Sequence, residues 1–114
     1  MQKISIAFFL ISTAFIFQYC SSSKKGVATK FVVTYENSIG TIIQGSCAPC
    51  HIAGKGNKKS LDNYTAASRT IDDIVARIQK NPGEMGFMPM MHPKLADTTI
   101  NLFVQWKTSG LKEK

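Results

Sequence analysis

The sequence predicts an all-α domain with three main helices. Isoleucine-rich segments recur at helical spacing, and no stretch after Tyr35 alternates apolar and polar residues well enough to build a sheet. The third observation is size. A chain of 114 residues holds one domain with a thin core, and a core that thin commonly relies on a disulfide, a metal or a cofactor. Three cysteines cannot all pair with one another, so disulfides do not account for all of them.

Residues 1–19 read as an export signal. Lys3 supplies a short positive start, and the apolar run that follows is too short for a span of about 20 residues. Cys20 ends that run, and Ser21-Ser22-Ser23-Lys24-Lys25-Gly26 follows it directly. An apolar run, one cysteine and a serine-rich stretch resemble a bacterial lipoprotein signal. That resemblance implies lipidation at Cys20, although Tyr19 stands where the family has a small residue. Residues 20–30 read as a flexible tether. The expected location is the periplasmic side of a bacterial membrane, with the chain held by its lipid. The domain proper is expected over 31–114, with Phe31-Val32-Val33-Thr34-Tyr35 as an extended lead-in packed against it.

The first helix is expected over 37–47, with Ile39, Ile42 and Ile43 on one face. The second is expected over 71–80. Asp72 and Asp73 suit its positive N-terminus, Ile74, Val75 and Ile78 form its apolar stripe, and Asn81-Pro82-Gly83 stops it. The third is expected over 98–108, capped by Asp97, buried through Ile100, Phe103 and Val104, and ended by Gly110. A polar Gly- and Lys-rich loop over 54–60 lies between the first two. There is no internal repeat.

The residues that carry chemistry are Cys47-Ala48-Pro49-Cys50-His51. C-x-x-C-H is the attachment signature of haem c. Two cysteines three apart at a helix end reach two vinyl groups of one haem, and the next residue, His51, offers an imidazole as axial ligand. A redox-active dithiol is the rival, but it wants a strand before the motif and parallel strands around it. A zinc site wants a second ligand pair, and His92 is the only other histidine.

A second axial ligand is sought in Gly83-Glu84-Met85-Gly86-Phe87-Met88-Pro89-Met90-Met91-His92-Pro93, which holds four of the five methionines. Met ordinarily fills cores. This segment is rich in Gly and Pro, however, and a thioether on such a loop can reach a haem iron and raise its potential. Met88, Met90, Met85, Met91 and His92 are the candidates.

Together these residues resemble the small monohaem class I cytochromes c. The likeness covers roughly 35–111. It rests on the C-x-x-C-H motif, on Met88-Pro89 followed by Lys94-Leu95-Ala96-Asp97-Thr98-Thr99-Ile100, and on the helix aromatics between Phe103 and Trp106. The resemblance implies a cytochrome c-like fold, three main helices around one covalent haem. It makes Cys47 and Cys50 the thioether cysteines, His51 the proximal ligand and Met88 the distal one. Ala96 stands where the family has a capping Ser or Thr, which passes that role to Asp97.

The expected activity is single-electron transfer between redox proteins rather than enzymatic turnover. No paired carboxylates or nucleophile–base set accompanies the motif, and no small-molecule substrate is implied. A haem enzyme or gas sensor with an open distal site is the alternative within haem chemistry. A non-haem dithiol lipoprotein is the alternative outside it. The net charge of +7 favours acidic partners or anionic surfaces, with Lys24, Lys25, Lys30, Lys55, Lys58 and Lys59 available to guide docking. The lysines do not alternate with exposed aromatics and no nucleic-acid motif is present, so nucleic acid is not an expected partner. Arg69 and Arg77 could pair with haem propionates, and Tyr64, Phe103 and Trp106 could pack in the core or against a haem.

Overall fold

The computed structural model describes residues 30–114, and Phe31–Lys114 forms one compact unit. The expected export signal over 1–19, the lipidation site Cys20, Lys24 and Lys25 lie outside the described residues. So does the tether over 20–30, apart from the exposed Lys30. The described residues contain helices and no strand, so the domain is all-α. No helix among them is long and apolar enough to cross a membrane.

The first helix starts two residues earlier than its apolar spacing predicts. A π-helical turn (Tyr35–Ile39) runs directly into α1 (Gly40–Ser46). Thr34 sets this start. Its hydroxyl accepts the Asn37 N–H at 3.2 Å, and its own N–H donates to the Asn37 side chain at 2.9 Å, closing a reciprocal cap. The lead-in before it is extended. Val33 is buried, whereas Phe31 and Val32 are exposed. Ile39 and Ile43, one turn apart, are fully buried.

α2 (Tyr64–Arg69) is an element the apolar spacing does not predict. Asn63 caps it by accepting the Ala66 N–H at 2.9 Å. α3 (Ile71–Ile78) buries Ile71, Ile74, Val75 and Ile78 and ends two residues before the predicted limit. α4 (Asp97–Thr108) buries Ile100, Phe103 and Trp106. One expectation about α4 is corrected, its cap, and one is refined, its buried face. Trp106 joins Ile100 and Phe103 in the core, and Val104 packs against it half-buried, because the helix lies against α3 and the π-helical turn. Asp97 does not cap: it is the first helical residue, Ala96 occupies the cap position, and no side chain bonds the open N–H groups there. Asp97 still favours the helix through its charge at the positive end. Gly110 ends α4 at φ 93°, and the Leu111 N–H returns to the Trp106 carbonyl at 3.0 Å.

The core is Ile39, Ile43, the α3 stripe, Ile100, Phe103 and Trp106. Tyr35, Tyr64 and Trp106 pack as a triangle with ring centroids 6.0–6.3 Å apart. The chain's end closes over this triangle. The Lys112 carbonyl accepts both the Trp106 indole N–H (2.8 Å) and the Tyr35 backbone N–H (2.9 Å), and the Glu113 carbonyl accepts the Glu36 N–H at 3.0 Å.

Candidate cofactor-binding site

Cys47 terminates α1, its N–H bonded to the Ile43 carbonyl at 2.9 Å. The chain then turns back on itself, with the His51 N–H donating to the Cys47 carbonyl at 3.0 Å. Buried Ile52 anchors the far side of the turn. Both thiols are free, Cys47 half-buried and Cys50 exposed. Burial pushes the Cys47 thiol up to about 11. Its place at the negative end of α1 also disfavours the thiolate.

The polar loop after the motif folds around His51. The Lys58 N–H donates to the Cys50 carbonyl at 3.2 Å, and the Leu61 N–H to the His51 carbonyl at 2.9 Å. The His51 Nδ1 lies 2.7 Å from the Lys59 carbonyl oxygen. A carbonyl has no proton to give, so Nδ1 carries the hydrogen and the Nε2 lone pair is left for a metal. Two residues hold the loop here. Gly56 packs so closely that a Cβ would stand 2.2 Å from the Cys50 carbonyl oxygen and 2.5 Å from that of Pro49. Asp62 accepts the Ser60 hydroxyl and, at 3.0 Å, the Ala53 N–H. Those bonds, Ser60 first, hold its carboxyl below the usual carboxylate range.

The opposite wall is the methionine loop. Its Met88 N–H donates to the Arg77 carbonyl at the end of α3 at 3.3 Å, and buried Phe87 and Pro89 flank the half-buried Met88. Between the walls lies a cavity of about 670 Å³, within the range of pockets that hold organic cofactors. Cys47, Cys50, His51 and Met88 all border it, together with apolar Ile74, Ile78, Leu95 and Phe103. Met90, Met91 and His92 border it too. Met85 does not, and is 93% exposed. Arg77, Lys58 and Lys59 add positive charge to the rim, whereas Arg69 lies elsewhere. Arg77 also holds Asp73 at 2.8 Å one turn away. Tyr64 and Trp106 belong to the core triangle and only Phe103 of the three aromatics reaches the cavity, a division the sequence leaves open.

The residues present fit a covalent haem. Two thiols and an imidazole with a free Nε2 face a thioether across an apolar cavity, which is the donor set such a group takes. Among the described residues, no three His, Cys, Asp or Glu side chains converge to hold a bare metal ion. No protein-family model, curated protein or solved structure matches this chain.

Proposed function

We propose that the compact unit is a monohaem c-type cytochrome of cytochrome c-like fold that passes single electrons between redox proteins. In this reading it is exported to the periplasmic side of a bacterial membrane and tethered by lipid on Cys20. The observation that carries the reading is the single cavity bordered by Cys47, Cys50, His51 and Met88. Cys47 and Cys50 would hold haem by thioethers, with His51 Nε2 and Met88 Sδ as axial ligands. A bound haem supplies a one-electron iron couple. The chain does the rest. The Lys59 carbonyl fixes the tautomer of His51, the apolar walls exclude water, and Lys58 and Lys59 make the rim basic beside the Arg77–Asp73 pair, which suits an acidic partner.

The dithiol reading finds little support in the geometry. Reactive cysteines have lowered pKa values and favour helix N-termini, whereas Cys47 ends a helix and is pushed up to about 11.

The test is expression with a haem-ligation system. A haem stain that survives denaturing electrophoresis supports attachment, and an unstained band rejects it. A ferric charge-transfer band that disappears in Met88→Ala and persists in Met90→Ala supports the Met88 assignment. Absence of that band from the wild type rejects methionine ligation and leaves His92 or an open distal site.

A further inference from the structure

The methionine loop has a second face. Met85, Met90 and His92 border a separate cleft of about 540 Å³, and Met85 takes no part in the haem cavity. Met85 is 93% and Met90 70% exposed. Thioethers in water contribute nothing to a core, so core packing does not account for their placement on this cleft, which shares Met90 and His92 with the first cavity.

The backbone beneath them is well held. The Lys80 ammonium donates to the Met85 carbonyl at 2.9 Å. The Phe87 N–H bonds the Glu84 carbonyl at 3.0 Å, and Phe87 is buried below the loop. Gly86, at φ 83°, makes the turn that carries Met85 outward. The local charge also selects. Glu84 borders the cleft, but its carboxylate is occupied by the Asn81 N–H at 2.7 Å and the Asn81 side chain. Lys94 lies on the same rim and disfavours a multiply charged cation.

We propose that Met85, Met90 and His92 form a binding site for a soft monovalent cation, with Cu(I) as its ligand. Two neutral thioethers and one neutral imidazole match the preference of Cu(I) for soft sulfur with nitrogen, and they suit hard divalent ions poorly. The site involves neither thiol and does not rest on haem being bound.

The test uses full-length protein with all cysteines blocked by N-ethylmaleimide, and the haem-loaded form in parallel. Each is titrated against the coloured Cu(I)–bicinchoninate complex. The wild type is expected to withdraw one Cu(I) per chain. Met85→Leu, Met90→Leu and His92→Gln should each weaken binding at least about tenfold, equal to ~1.4 kcal/mol. Met91→Leu, whose thioether borders only the other cavity, should bind as the wild type does. No withdrawal of Cu(I) by either form, or withdrawal that survives all three substitutions, overturns the proposal. Because the blocked protein carries no haem, the result stands or falls apart from the cytochrome reading.

Discussion

The Nδ1 of His51 and the carbonyl oxygen of Lys59 are 2.7 Å apart, and this contact joins the motif to the loop that follows it. The partners lie eight positions apart in the chain, so the bond depends on the loop's path. Gly56 governs that path, because its α-carbon rests against the Pro49 and Cys50 carbonyls.

Gly56→Ala is therefore expected to destabilise the domain by about 1–3 kcal/mol, the usual cost of overpacking. The clash is with backbone, so no side-chain rotation relieves it. In haem-loaded protein the displaced loop would weaken the His51–Lys59 bond and make the imidazole less basic, raising the reduction potential. Denaturant melts and a potentiometric titration check the two halves.

The Cys47 thiol gives a pH signature to protein lacking haem. Its folded pKa, about 11, lies above the ordinary value near 9. Burying the protonated thiol thus stabilises the fold fully below about pH 9, and that contribution is lost as pH rises toward 11. Thermal melts across this range should fall with pH, and Cys47→Ala should remove that component. With haem attached at Cys47 this sulfur would carry no proton, and the component should be missing. At neutral pH, maleimide should label the exposed Cys50 before the half-buried Cys47.

Asp62 predicts the opposite sign at the acid end. Its folded pKa lies below the ordinary carboxylate value, so its grip on Ser60 and Ala53 is present above about pH 4 and fails as pH falls through the lower folded value. The Ala53 amide should lose exchange protection on acidification. Asp62→Ala should show the unprotected rate at neutral pH.

Trp106 is fully buried and satisfies its indole N–H on Lys112. Trp106→Ala should cost about 3–5 kcal/mol, as for other large core aromatics. Amide exchange should also speed up at Tyr35, whose acceptor is the same carbonyl.

The parts legible in the sequence are those set by neighbours in the chain. Cys47, Cys50 and His51 come together because a helix end and one turn lie between them. Ile39 with Ile43, and the α3 stripe, repeat at helical spacing. What escaped is short or depends on distant packing. α2 buries only Ala67, too little to make a periodic stripe, although Asn63 was a usable start signal. Thr34 is extended, as the lead-in predicts, but it is also the cap, and its reciprocal bond with Asn37 starts the helix at Tyr35. Trp106 is fully buried because Tyr35 and Tyr64, far away in the chain, form its neighbours, whereas Val104 is only half-buried against the core. The two faces of the methionine loop had no periodicity to separate Met85 from Met88.

The paired hydrogen bonds at Lys112 also bear on the order of assembly. Tyr35 and Glu36 begin the helix that carries Cys47, yet their N–H groups find partners only in Lys112 and Glu113. A nascent chain must expose almost the whole unit before that helix is sealed at its start. Segments cut short of Lys112 should hold the two cysteines on a frayed helix, so the geometry of the motif is settled only once Lys112 and Glu113 are in place.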